Sequence, residues 1–236
     1  MLRLYGRAHF LGLADHYLSL HTWIPARHKP HLFNPEVWAG LGRDAALFEF
    51  YEDWFDRLGR CSTFDAYMHT HARLNLESLL FRMDSSSMAA SVEARVPFTD
   101  HRLAEYVFSL PDRYKMDWRS PAAREQAEAM NAAEIERADL LESKRLLRRA
   151  FANDVPKSIL TRPKMSFPVP LAEWFASDLL ETAREIVDSS PLRRALFSDK
   201  TIQYYFKSAA HQESAMALWP VVNLCLWQSL CGVRLP

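Results

Sequence analysis

The chain has 236 residues, about one and a half times the roughly 150 residues of an ordinary domain, so one large domain or a large piece of one is expected. Hydrophobic types make up 49% and charged types 25%, far from the low-hydrophobicity, high-charge composition of disordered chains. Lys+Arg and Asp+Glu both number 29, so no basic surplus exists to neutralise a phosphate backbone or an anionic bilayer, and neither nucleic acid nor membrane is expected as a partner.

The N-terminal stretch carries Arg3, Arg7, His9 and Asp15 among its apolar residues, which interrupts the apolar core of an export signal. Cys61, Cys225 and Cys231 form neither a CxxC pair nor an even disulfide set, so a reducing, cytoplasmic setting is expected. The six glycines are scattered, so no glycine-clustered phosphate loop is present.

Apolar residues recur at spacings of three and four almost throughout, which predicts a mainly α chain. A first helix covers Leu4 to Leu20 and stops before Pro25; a short second one follows Asn34-Pro35, with Asn34 as cap. Asp44 to Leu58 places Leu47, Phe48, Tyr51, Trp54, Phe55 and Leu58 on one stripe. Ser62-Thr63 caps a helix through Met83, followed by a small, polar stretch Asp84 to Ser91 and an extended Val96-Pro97-Phe98. Asp100 caps a helix to Leu110, which Pro111 stops. Asp117 to Ser143 is rich in Ala and Glu with few large apolar residues, and reads as an exposed helical insertion. Helices resume at Lys144 to Asn153, Leu171 to Val187, Ser198 to Ala210 and Glu213 to Leu230. In the last of these Pro220, Asn223 and Gln228 interrupt the apolar run, so it reads as a core helix. Trp54, Trp174, Trp219 and Trp227 are expected in the core.

The stretch Arg82 to Asp100 sets ionic residues among small and apolar ones. Asp84, Glu93, Arg95 and Asp100 would cost several kcal/mol each if buried unpaired, so a hydrogen-bonded network is expected there, either purely architectural or touching a ligand. No metal site is expected: His69-Thr70-His71 puts two imidazoles on different sides of a helix, and Asp65 with His69 supplies only two ligands.

Arg82-Met83-Asp84-Ser85-Ser86-Ser87-Met88-Ala89-Ala90-Ser91-Val92-Glu93-Ala94-Arg95-Val96-Pro97-Phe98-Thr99-Asp100 resembles the D-R-x-S-M-A-x-S-x-E-x-R-x-P-F-L-D signature of the asparagine synthetase family. Lys144 to Phe151 resembles its K-x-x-L-R-x-A-F block, and Val155-Pro156-Lys157-Ser158-Ile159 its L-P-x-x-I. Arg162 to Pro170 with Trp174 resembles R-x-K-x-G-F-x-x-P followed by W, and Leu218 to Trp227 resembles the closing helix. Ser85, Thr99 and Ser166 depart from the family's Arg, Leu and Gly.

The resemblance implies an ATP-dependent amide ligase that adenylates a carboxylate, releases pyrophosphate and lets ammonia attack the acyl-adenylate. It implies Lys144 as the catalytic lysine, and Asp84, Ser87, Glu93, Arg95, Asp100, Arg148, Arg162 and Lys164 as substrate or network residues. Lys144 and Arg148, four apart, are expected to project from one helix face while Leu146, Leu147, Ala150 and Phe151 pack inward. ATP and Mg are implied, yet the family's S-G-G-x-D-S and S-G-x-G-x-D-E elements are not in this sequence, nor does a cysteine precede Cys61. The implied fold is therefore the helical C-terminal half of an adenine nucleotide alpha hydrolase-like domain, spanning 1–236, without the parallel-sheet nucleotide-binding half. Its implied partners are that half and a glutaminase domain, in trans. β-Lactam synthetases, lasso-peptide cyclases and polysaccharide amidotransferases share the domain, so a different acceptor is an alternative, as is a non-catalytic interaction module.

Overall fold

In a computed structural model, residues 10–24, 26–130, 132–162 and 169–233 are described. They fall into two compact units, Met1–Asp56 with Phe167–Pro236, and Arg57–Ser166.

The first unit opens with α1 (Leu13–His21), α2 (Lys29–Leu32), α3 (Pro35–Gly40) and α4 (Ala45–Leu58). Tyr17 of α1 packs against Tyr51 (tilted) and Phe55 (edge-on) of α4, with ring centroids at 5.3 and 5.8 Å, which is what the aromatic stripe of α4 is for. Pro35 sits at the start of α3 as expected, but Asn34 makes no side-chain cap. Its amide instead donates to the carbonyls of Arg194 (3.0 Å) and Ala195 (3.3 Å), beside an antiparallel bridge between Phe33 and Phe197. A long-range tie has taken the donor that a local cap would leave unused.

The second unit starts with α5 (Thr63–Thr70), a π turn (His71–Asn75) and α6 (Leu76–Ala89). Ser62 caps α5 by accepting from the Asp65 amide at 3.0 Å, as its position predicts. The polar residues from Asp84 onward, expected to leave the helix, stay in it to Ala89. Helix α6 ends where Ser91 takes φ 57: the Ser91 amide returns to Met88 O and the Val92 amide to Ser87 O, each at 2.9 Å. This is the Schellman closure, with serine where glycine is usual. Then come α7 (His101–Ser109), capped by Asp100, and α8 (Asp112–Lys115).

The segment after α8 forms an antiparallel ladder of β1 (Met116–Trp118) and β2 (Leu141–Ser143), in the register Met116↔Ser143, Asp117↔Glu142 and Trp118↔Leu141. Between the strands lie α9 (Pro121–Ala127) and α10 (Ala132–Arg137). Ala123, Ala127 and Leu140 are buried there against Trp118, Met130 and Ile135, so this lobe has a small core of its own. Two three-residue strands are too short to show a period of two, which is why the stretch reads as helical in sequence. Helices α11 (Arg145–Ala150) and α12 (Lys157–Leu160) complete the unit.

The chain returns to the first unit with α13 (Leu171–Phe175), α14 (Leu179–Ser189), α15 (Pro191–Leu196), α16 (Asp199–Lys207) and α17 (Gln212–Cys231). The single helix expected over Leu171 to Val187 breaks after Phe175, where the Ser177 hydroxyl donates to Trp174 O at 2.8 Å. Helix α15 was absent from the sequence reading, although Ser190 caps it and Pro191 opens it.

Helix α17 is long and apolar enough to cross a membrane by length and composition alone. Its residues Ser214, Leu218, Val221 and Cys225, one helical stripe, are instead buried in the core of the first unit. Ile202 of α16, Val187 of α14 and Phe175 of α13 meet it there. Trp219 packs on this core, with its ring centroid 6.4 Å from Phe175, whereas Trp174 and Trp227, expected inside, are exposed. Leu218 has no exposed surface. Leu218→Ala should therefore lower unfolding stability by about 2–5 kcal/mol, through lost burial and the cavity left behind. Denaturant titration reads it as an earlier midpoint with unchanged slope.

Candidate functional site

Between α11, the 155–162 segment and Phe98, the second unit holds a cavity of about 400 Å³ lined by Phe98, Ser143, Lys144, Leu147, Arg148, Phe151, Val155, Ile159, Leu160 and Arg162. The ladder puts Lys144 there: Ser143 is the last paired residue, and Lys144 follows at φ 55, ψ 35 as the residue preceding the first turn of α11. A left-handed non-glycine backbone costs about 1–2 kcal/mol and persists only where the surroundings over-determine it. The Lys144 carbonyl accepts the Arg148 amide at 2.9 Å, and the Ser143 carbonyl accepts Arg148 Nε at 3.0 Å.

Lys144 is therefore not within the helix, as its spacing suggested, but at its mouth. Leu147 and Phe151, expected to pack inward, are 36% and 49% exposed and form an apolar wall of the cavity. Lys144 itself is exposed and makes no ion pair among the described residues. Its neighbour Arg145 takes the acidic partners, Asp117 and, at 3.0 Å, Glu142. Among the described residues, every ionic residue of the cavity lining is basic: Lys144, Arg148 and Arg162. Such a site suits an anion, and its donor set matches phosphate oxygens.

Of the residues singled out in sequence, the structure thus gathers Lys144, Arg148 and Arg162. It does not gather the others. The network expected around Asp84, Glu93, Arg95 and Asp100 is replaced by separate local contacts at the surface. Ser87 donates its hydroxyl to Asp84 O at 3.1 Å, and Glu93 pairs with Arg95 at 2.8 Å with both side chains largely exposed. Asp100 caps α7, accepting from the Arg102 and Leu103 amides, and holds the Arg102 guanidinium at 3.0 Å. Charges left in water carry no desolvation cost and need no network. Lys164 lies outside the described residues. Phe98, Val155 and Ile159, the apolar members of the sequence blocks, were missed as wall residues; their recurrence beside the basic positions was the available signal.

One buried ion pair was also missed. Lys115, its side chain 5% exposed, donates to Asp65 at 2.5 Å, with Asp112 at 3.8 Å. Lysine is rarely buried unless paired, and this pair fixes the start of β1.

A helical chain with a basic, phosphate-suited cavity defines a class, and the comparisons specify it. The asparagine synthase family model matches residues 10–229, so the chain belongs to that family. It is 27% identical over 153 residues to glutamine-hydrolyzing asparagine synthetase 1 of Bacillus subtilis, covering 64% of this chain and 21% of that protein. To asparagine synthetase 3 of the same organism it is 35% identical over 117 residues, covering 48% and 16%. The Bos taurus enzyme is 39% identical over 100 residues, covering 40% and 14%. The match spans about a fifth or less of the length of these relatives. No solved structure matches.

The Arg102 guanidinium beside Asp100 holds its carboxyl below the ordinary value of 3.8, aided by the two capping amides. A depressed carboxylate contributes stability above the unfolded value and loses it as pH falls through the folded one. The melting-temperature difference between the native chain and Asp100→Ala should hence be constant from neutral pH down to about 5 and shrink below 3.8. Thermal melts across pH 2 to 7 measure it.

Proposed function

We propose that the chain is the helical C-terminal part of an ATP-dependent amide-forming ligase, which adenylates a carboxylate and lets ammonia displace the adenylate. The observation that carries this reading is Lys144, exposed at a cavity whose described ionic lining residues are all basic, in a chain of the asparagine synthase family. When a carboxylate oxygen attacks the α-phosphate of ATP, negative charge builds on the phosphorus oxygens and on the departing pyrophosphate. Fixed cations stabilise that charge most when it is fully developed. Lys144, exposed at the cavity and free of an acidic partner among the described residues, supplies such a charge. The described lining fits the phosphates of ATP and holds no carboxylate for magnesium, which in this reading the nucleotide-binding half supplies.

The second unit supports a division of the active site between this chain and another part. Phe81, Phe98, Val92 and Met88 are 72%, 68%, 57% and 53% exposed, and α6 and α7 bury no residue fully. Apolar surface of that extent marks an interface. In this reading its occupant is the nucleotide-binding half that the family resemblance implies; the chain covers about a fifth of the length of its relatives. A glutaminase domain then provides the ammonia.

Alone, the chain should show no saturable binding of Mg-ATP in the micromolar range by calorimetry; such binding would contradict a divided site. Mixed with the nucleotide-binding half of a close relative, Lys144→Ala should slow pyrophosphate release about 100- to 1000-fold while ATP affinity changes little. Near-normal turnover in that variant would remove Lys144 from the role. Phe98→Asp should abolish co-purification with that half while leaving the melt of the first unit unchanged.

A further inference from the structure

We infer that Arg148 is a positioning residue that sets the geometry of Lys144, and not a second anion-binding cation as its spacing suggests. The inference deepens the reading of Lys144 as a phosphate-facing lysine and rests on it. The Arg148 guanidinium directs all three of its nitrogens at the main chain: Nε donates to Ser143 O at 3.0 Å, Nη1 to Leu160 O, and Nη2 to Arg162 O at 3.2 Å. These carbonyls belong to the residue before Lys144 and to the segment forming the opposite side of the cavity. The amide of the same residue holds Lys144 O at 2.9 Å, so Arg148 grips both sides of the strained residue, whose φ is 55.

A planar guanidinium spreads five N–H donors over three nitrogens in a fixed fork and so reaches three separate carbonyls; an ammonium also has three donors, but they diverge from one nitrogen and cannot reproduce that spread. Arg148 also forms part of a second cavity, of about 280 Å³, bounded by Arg119, Ile135, Glu136 and Asp139 of the inserted lobe. The clamp therefore stands between the lobe and Lys144, and couples the ladder to the reactive position. Arg162 contributes its carbonyl to the clamp and also belongs to the cavity lining.

The test uses the full chain with its lysines reductively 13C-methylated, which gives each lysine its own NMR resonance. In the native chain the Lys144 resonance should be a single narrow line that shifts on titration with millimolar pyrophosphate. In Arg148→Ala that line should broaden or split, and its pyrophosphate dissociation constant should rise about tenfold, the size of one misplaced charge-assisted hydrogen bond. Added methylguanidinium should restore the narrow line. Arg148→Lys, which keeps the charge and most of the stem, should fail to restore it and decides the matter if the alanine variant does not fold. An unchanged Lys144 line in Arg148→Ala, or full recovery in Arg148→Lys, overturns the clamp. A native Lys144 line that ignores pyrophosphate overturns the phosphate reading instead, since line shape reports the clamp without any anion.

Discussion

The pairing of Met116 with Ser143 is the constraint on which the site depends. Each strand of this ladder is flanked by a lysine, and the two have opposite fates. Lys115, just before β1, is buried and neutralised by Asp65. Lys144, just after β2, is exposed in a left-handed conformation. Removing the acidic partner of a buried lysine costs several kcal/mol, so the first lysine anchors the ladder. The ladder in turn delivers the second to the cavity. Because its ends are zipped together, the lobe between them can differ in length without moving the point where Lys144 emerges.

The chemistry follows from how the cations are shared out. Arg145 is taken by Asp117 and Glu142, and Arg148 by three carbonyls, which leaves Lys144 and Arg162 to face a ligand. Evolution of a charge-stabilising site needs this separation, since a lysine already paired with a carboxylate would have its field cancelled in the transition state. The two units contrast in the same terms. The first closes a core around Leu218 and Ile202, whereas the second buries mainly small side chains and leaves Phe81 and Phe98 outside. A unit organised in this way supplies one wall of a site and a surface on which the rest is built.

The helical class, the Ser62 and Asp100 caps, the amphipathic α4 and the apolar core helix α17 were legible because each rests on neighbours within a few residues. Lys144, Arg148 and Arg162 were named through resemblance of their sequence blocks to a family, together with residues that do not join them, and spacing linked only Lys144 with Arg148. What escaped the sequence depends on distant partners. Asn34 abandons its cap for carbonyls 160 and 161 residues away. The αL turn at Lys144 is imposed by a strand pairing that three-residue segments cannot announce. Periodicity picked out the Leu147 and Phe151 stripe but could not say that the described residues leave it partly exposed, and the charges of the Arg82 to Asp100 stretch were assigned a burial they do not have.

The central claim is that the cavity at Lys144 is one wall of a phosphate site completed by another part of the protein. Hydrogen exchange, followed by mass spectrometry on this chain mixed with the nucleotide-binding half, tests it most directly. The account predicts slowed exchange over residues 85–98 on adding that half alone, and further slowing over 143–148 only when ATP is also present. Unchanged exchange at both segments, or protection of 143–148 by micromolar ATP without the second half, would contradict it.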